Sequence, residues 1–81
     1  MAASDQPGAA YVVRLTAADV GARVVVRRRL DDGGLGDLLG ELEQWDESAV
    51  VVLDRHGARH VVRPGDVVAG KRVPPAPARR P

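Results

Sequence analysis

The apolar residues of this chain fall into short, Val-rich runs separated by Gly, Pro and Asp, and this pattern constrains the fold most. Val is β-branched and favours strands, whereas Phe and Ile are absent and only 2% of the residues are aromatic. With 81 residues the chain supplies a single core. A domain of this size buries only about 60% of its unfolded surface, which disfavours an enclosed pocket. We therefore predict an all-β fold, a small SH3-like five-stranded barrel.

The predicted strands span residues 23–30, 37–45, 49–54, 58–63 and 67–73. In the first strand, alternation with a period of two places Val24, Val26 and Leu30 on the apolar face. Arg28 falls on the same face, where we expect its stem to pack near the barrel end while its guanidinium reaches water. In the second strand, Leu38, Gly40 and Leu42 are predicted to face inward while Glu41 and Glu43 face outward. Gly40 inside this strand predicts a bulge or a sharp bend there.

The segments between the predicted strands contain residues that are typical of turns. Thr16 and Asp19 have the spacing of a capping box, and Gly21 is suited to end that turn. The residues Asp-Asp-Gly-Gly at 31–34 predict a turn that extends into a long loop to residue 36. Tight turns are predicted at residues 46–48 and 64–66.

His56 and Gly57 predict a two-residue hairpin turn between the third and fourth strands. The pairs counted outward from this turn are Asp54 with Arg59, Leu53 with His60, Val52 with Val61 and Val51 with Val62. The opposite charges of the first pair favour this register.

Three segments are expected along the chain: a flexible N-terminus over residues 1–9, the barrel over 10–73 and a Pro- and Arg-rich tail over 74–81. No apolar run approaches the roughly 18 residues that span a bilayer, and the first residues lack the pattern of a signal peptide. The absence of Cys removes disulfides, thiolates and Cys-based zinc sites. We therefore predict a soluble, cytoplasmic protein without membrane contact.

The candidates for acid–base or nucleophilic chemistry are His56, His60, Ser48, Thr16 and Tyr11. They show no Ser–His–acid order with a supporting Gly-rich context. Ser48 and His56 lie in predicted turns, and for His60 we expect a partly buried, hydrogen-bonded structural role. The two histidines and Asp54 do not converge in the predicted hairpin as metal ligands must. The sequence therefore indicates no catalytic residue, no metal and no cofactor, and we expect that the chain is not an enzyme.

A basic run at residues 27–29 raises the alternative of nucleic-acid binding, because basic strands on small barrels can follow a phosphate backbone. The residues that would make these contacts are Arg27, Arg29, Arg55, Arg59 and Arg63. Residues 31–47, however, carry seven acids and no base, and they supply the strand best suited to pair with the Arg-rich one. We therefore expect cross-strand pairs between Arg and acidic residues to neutralise much of this charge.

Trp45 and Tyr11 are the only aromatic residues. Two are too few for a groove that binds Pro-rich peptides or for a platform that stacks bases. Trp45 lies at a strand end, where it either caps one mouth of the barrel or, if exposed, anchors a partner. Trp45 and Tyr11 are therefore the candidate docking residues.

Three parts of the sequence form a family-like pattern: LTxxDVGxRVVVR at residues 15–27, then Gly40 and Trp45, and DVVAGKxVPP at residues 66–75. This pattern resembles the SH3-like domain at the N-terminus of certain bacterial GNAT acetyltransferases. In that family the Pro-rich tail leads into an acetyl-CoA-binding GNAT domain. The coenzyme-binding loop of that domain has no counterpart in these 81 residues, so the resemblance implies the fold and an accessory role but no catalytic residue.

Three functions are therefore expected in order of preference. The first is a non-catalytic docking or accessory module for a GNAT catalytic domain or another protein. The second is a small basic barrel that binds nucleic acid through its Arg residues. The third is a structural module whose exposed strand edge pairs with another copy of the chain.

Overall fold

The computed structural model describes residues 12–75, which form five antiparallel strands. The strands are β1 (Arg23–Arg29), β2 (Leu35–Trp45), β3 (Val50–Leu53), β4 (Arg59–Val62) and β5 (Val67–Arg72). Their order in the sheet is β4-β3-β2-β1-β5, so β4 and β5 are the edges of a barrel-like sheet that strand pairing does not close. The predicted all-β, five-stranded fold is confirmed. Residues 1–11, with the predicted flexible N-terminus and Tyr11, and tail residues 76–81 lie outside the described residues.

One face of the bent sheet forms the core. The buried core residues are Leu15, Val24, Val26, Leu38, Leu42, Val50, Val52 and Val62. The predicted alternation is confirmed in β1, where Val24 and Val26 are fully buried, and in β2, where Leu38 and Leu42 point inward. Because Val fills most of this core, the strands can approach closely without large side chains between them.

The longest strand, β2, pairs with β1 along its first part and with β3 along its last part. Its bulge lies between Leu42 and Gln44 rather than at Gly40, where a bulge or bend was predicted. Gly40 has a different role, because a Cβ atom there would clash with the carbonyl oxygen of Leu53. A glycine is therefore required where β2 passes the Leu53 carbonyl at the end of β3.

The hairpin between β1 and β2 is tighter than predicted. The amide of Leu30 donates to the carbonyl of Gly34 at 2.7 Å, so the loop contains three residues. Its last residue, Gly33, has a φ of 90°. The predicted long loop to residue 36 is wrong, because Leu35 and Gly36 already belong to β2.

The β3–β4 hairpin has the same kind of three-residue loop, and the predicted two-residue turn is wrong. The amide of Asp54 donates to the carbonyl of Ala58 at 2.9 Å, and Gly57 has a φ of 84°. The Asp54 carboxylate explains the extra residue, because its Oδ1 accepts hydrogen bonds from the amides of His56 at 2.8 Å and Ala58 at 3.0 Å. A side chain that bonds to its own turn stabilises the longer loop.

The longer loop shifts the predicted register by one residue. The observed partners are Leu53 with Arg59, Val52 with His60, Val51 with Val61 and Val50 with Val62. A shift of one residue exchanges the two faces of a strand. Val62 therefore points into the core, whereas Val61 is 68% exposed, and the predicted Asp54–Arg59 pair does not form in the ladder.

The turn before β1 is confirmed in detail. The amide of Thr16 donates to Asp19 Oδ2 at 2.8 Å and the amide of Ala18 donates to Thr16 Oγ1 at 3.1 Å, which completes the capping box. Gly21 follows with a φ of 99°. The predicted turn at Pro64–Asp66 is also present, as a 3-10 turn that leads into β5.

None of the helical segments within residues 12–75 is long and apolar enough to cross a membrane.

Candidate interaction surfaces

A groove of about 760 Å³ lies at the end of the sheet where β1 begins and where β3 and β5 end. Its floor is apolar and its rim carries charges of both signs. The apolar residues are Ala22, Leu39, Leu53, Val73 and Pro75, and the charged or polar ones are Arg23, Glu41, Asp54, Arg55, His56 and Arg72. We call this surface the exit groove, because the chain leaves the sheet beside it after β5.

Arg23 fixes the path of the chain at the exit groove. Its carbonyl accepts a hydrogen bond from the amide of Val73 at 2.9 Å, and its Nη1 donates to the carbonyl of Pro74 at 2.9 Å. Pro74 has no amide hydrogen and makes no further ladder bond as a donor. The first residues of the Pro-rich segment are therefore held against the groove by the first residue of β1.

The rim of the exit groove is ordered by Asp54. Besides the amides of its own turn, this carboxylate bonds to His60, with a distance of 2.8 Å between Asp54 Oδ2 and His60 Nε2. The bond to His60 and the bond from the Ala58 amide lower the pKa of Asp54 from 3.8 to about 2. His60 is half-buried and has the structural, hydrogen-bonded role that the sequence predicts. These hydrogen bonds brace the loop that presents Arg55 and His56.

Ser48 has a comparable structural role in the β2–β3 turn. Its hydroxyl donates to Asp46 Oδ1 at 2.6 Å, and its amide donates to the same oxygen at 2.8 Å. The Ser48 hydroxyl bond, together with bonds from the Ala49 and Ser48 amides, lowers the pKa of Asp46 to about 2. Within residues 12–75, no three His or carboxylate side chains converge as metal ligands.

Two of the five arginines assigned to nucleic-acid contact lie in ion pairs that are also hydrogen bonds. Arg27 is directly opposite Asp37 in the β1–β2 ladder and binds it with both Nε, at 2.8 Å, and Nη2, at 3.1 Å. This contact lowers the pKa of Asp37. Arg59 donates from Nε to Glu43 Oε1 at 2.6 Å. The expected neutralisation of the Arg-rich strand by its acidic neighbour is confirmed at Arg27.

The other three arginines are exposed and lie at different places. Arg55 lines the exit groove, and its Nε lies 3.3 Å from His56 Nε2. Arg29 and Arg63 line one pocket at the far end of β1, where Arg63 Nε lies 3.9 Å from Asp66 Oδ2. The fold therefore brings Arg29 and Arg63 together but distributes the five arginines over several surfaces.

Trp45, the first candidate docking residue, is half-buried and packs against the core. Trp45 also lines a small surface pocket together with Val13, Pro64 and Val67. Tyr11, the second candidate, lies outside the described residues.

Sequence reasoning missed Leu39 and Arg23 as surface residues of interest. Leu39 is 48% exposed and stands on the outer face of β2 between Asp37 and Glu41. The alternation of β2 contained this signal, because an apolar residue between two outward-facing acids must itself point outward. For Arg23 no local signal exists, since its partner Pro74 is distant in the sequence.

Comparison of the sequence with models of known protein families identifies one matching family. A family model described as the Rv0428c N-terminal Sm-like domain matches residues 18–71. This range is two thirds of the 81 residues and extends from the turn before β1 into β5. No curated protein and no solved structure matches the chain. The resemblance drawn from the sequence is thus confirmed for a small β-barrel domain, and the family match says nothing of an acetyltransferase.

Proposed function

The chain belongs to the Rv0428c N-terminal Sm-like domain family, and from this we propose that it is a non-catalytic interaction module that binds a protein through the exit groove. The partner that we propose is a GNAT-type acetyltransferase domain. The observation that carries the proposal is the position of the groove beside the point where the chain leaves the sheet, with Pro74 held by Arg23.

The composition of the exit groove supports protein binding. Its floor exposes Leu39, Leu53 and Val73 in one concave surface, and its rim alternates Arg23 and Arg55 with Glu41 and other polar groups. An apolar centre with a polar rim is the usual organisation of a protein–protein interface. The Asp54 part of the rim is braced by hydrogen bonds before binding, so less conformational entropy is lost there when a partner docks.

The resemblance to GNAT-associated domains supports the choice of partner. The last part of the sequence pattern that carries this resemblance, residues 66–75, includes β5 and ends at Pro75, which itself lines the exit groove. A catalytic domain that follows such a segment begins next to the groove. The module therefore positions the acetyltransferase, and the acetyl transfer is carried out by that domain alone.

Nucleic-acid binding is the second candidate, and the position of Arg29 and Arg63 in one pocket favours it. The pairing of Arg27 with Asp37 and of Arg59 with Glu43 opposes it, because paired guanidinium groups release few counterions. A fluorescence titration with single-stranded and duplex oligonucleotides at two salt concentrations separates the candidates. Binding that weakens steeply with salt would establish the nucleic-acid function.

The proposed function is tested by NMR on the ¹⁵N-labelled chain titrated with GNAT-type acetyltransferase domains from the same genome. We expect saturable shifts of amide signals around the exit groove with one of these domains. Acetyl-CoA alone should produce neither shifts nor turnover.

Two variants control this titration. Leu39→Glu places a charge on the groove floor and should abolish the shifts, whereas Val61→Glu changes an exposed residue of β4 and should leave them unchanged. No response to any such domain, or equal binding by both variants, would reject the groove as the site. Acetyl transfer by the chain alone would reject its non-catalytic role.

A further inference from the structure

A pocket of about 130 Å³ lies where the end of β2 meets the turn that leads into β5. The residues that line it are Val13, Trp45, Asp46, Val50, Pro64 and Val67. Pockets that hold drug-sized ligands have about 300–1,000 Å³, so this one admits only a single small group, such as the end of one side chain. We call it the tryptophan pocket, and it shares no lining residue with the exit groove.

Asp46 supplies the one charge of the tryptophan pocket among the lining residues in the described part of the chain. This residue is exposed to solvent, and its low pKa keeps the carboxylate ionised at neutral pH. Arg14 and Arg63 adjoin lining residues in the sequence, but their side chains line other pockets. The tryptophan pocket therefore favours a positively charged ligand.

The two oxygens of the Asp46 carboxylate differ in how many hydrogen bonds they accept. Oδ1 accepts from the Ser48 hydroxyl at 2.6 Å, the Ser48 amide at 2.8 Å and the Ala49 amide at 3.0 Å. Within residues 12–75, Oδ2 accepts from Gln44 Nε2 alone, at 3.1 Å, and a carboxylate oxygen has room for a second donor. A guanidinium pairs best with two free oxygens, whereas an ammonium needs only one. The carboxylate is therefore suited to the ammonium of a lysine.

Trp45 and the apolar lining residues suit the rest of such a side chain. Trp is the aromatic residue that attracts cations most strongly, at up to about 6 Å from the centre of its ring. A group that fills a pocket this small and approaches Asp46 also comes close to Trp45, its neighbour in the sequence. Val13, Pro64 and Val67 form an apolar wall from other parts of the chain. Such a wall packs well against the methylene stem of a lysine.

We propose that the tryptophan pocket binds a lysine side chain of a protein partner. The ammonium of this lysine donates to Asp46 Oδ2 beside Trp45, and its stem packs against the apolar wall. Because Asp46 is exposed, the other two N–H groups of the ammonium remain in contact with water. Lys71, the only lysine of the chain, lines a different pocket, so the bound lysine comes from outside these 81 residues.

The test is a titration of the 81-residue chain followed by tryptophan fluorescence, which reports on this pocket because Trp45 is the only Trp. The probe is Nα-acetyl-lysine N-methylamide, and the control is its Nε-acetyl derivative, which has the same stem but no charge. The lysine probe should change the emission along a saturable curve, and the control should not. A linear response to the lysine probe, or equal saturation by both compounds, would overturn the proposal. Tighter binding of the corresponding arginine derivative would overturn the choice of lysine.

Two matched pairs of variants locate the site. Asp46→Asn removes the charge but keeps a side-chain oxygen for the turn, and it should weaken binding about fivefold. Glu47→Gln removes a neighbouring exposed charge that does not line the pocket, and it should leave the affinity unchanged.

The second pair tests the apolar wall. Val13→Ala shortens this wall and should weaken binding, whereas Val12→Ala changes a similarly exposed residue that lines another pocket and should not. The amide spectrum of each variant checks that the chain is folded. Equal affinities within either pair would reject the tryptophan pocket as the site.

Discussion

Single residues determine how closely the strands of this small sheet approach one another. Gly40 is the clearest case, because the carbonyl oxygen of Leu53 occupies the space where a Cβ atom would lie. The obstacle is backbone, which cannot move aside as the end of a flexible side chain can. The sequence showed only that a glycine interrupts β2, and the reason for it lies in a strand that is distant along the chain.

We predict that Gly40→Ala destabilises the fold by about 1–3 kcal/mol, the usual range for forcing an extra carbon into a packed site. Gly65→Ala is the matched control, since nothing lies within 4 Å of its added Cβ. Urea unfolding of both variants measures the difference. Equal stability of the two variants would show that β2 and β3 are not held this close.

Residue-scale electrostatics make stability depend on acid pH. The pKa values of Asp46 and Asp54 fall to about 2 in the folded chain from 3.8, because both carboxylates accept several hydrogen bonds. A lowered pKa contributes stability that is complete above the unfolded value and is lost as the pH falls through the folded value. We therefore predict that the free energy of unfolding declines between about pH 4 and pH 2.

This decline should be smaller in Asp46→Asn, which removes one of the two titrating groups. Urea unfolding of the two proteins across this pH range provides the comparison. An identical slope in both, or a wild-type stability that does not change, would contradict the assigned hydrogen bonds.

The elements show where sequence reasoning succeeds and where it stops. Period-two alternation predicted the inward faces of β1 and β2, because burial alone decides which side of a strand is apolar. The β3–β4 register failed, because the loop length depends on the hydrogen bonds of the Asp54 side chain. The exit groove could not be predicted from the sequence, because its floor combines residues that only the sheet topology brings together, such as Ala22, Leu39 and Val73.

The three-residue loop of the β3–β4 hairpin gives a prediction at this scale. Gly57 has a φ of 84°, a conformation that costs an alanine roughly 1–2 kcal/mol. Gly57→Ala should therefore lower the unfolding free energy by about that amount, and Gly57→Asn should lower it less because Asn tolerates this conformation. Thermal or urea unfolding measures both. If the turn had only two residues, His56 and Gly57, then His56 would also adopt a positive φ. In that case His56→Gly would stabilise the chain, which would contradict the three-residue loop.

At the scale of the whole molecule, charge and strand edges limit the surfaces open to partners. The Arg-rich strand β1 is partly neutralised by β2, most directly through Arg27 and Asp37. The outer edge of β5 is occupied at Gly70, which exchanges hydrogen bonds with Val12 and Arg14. This occupied position disfavours the alternative in which β5 pairs with another copy. The exit groove, by contrast, presents a concave surface at the start of β1.

The central claim, that the exit groove contacts a GNAT-type acetyltransferase domain, is tested most directly by photo-cross-linking in cells of the source organism. A benzophenone amino acid replaces Leu39 on the groove floor in one variant and Val61 on the outer face of β4 in the other. Mass spectrometry then identifies the peptides joined to each position. We predict acetyltransferase peptides joined at position 39 and not at position 61; their absence at position 39, or equal yields at both positions, would contradict the claim.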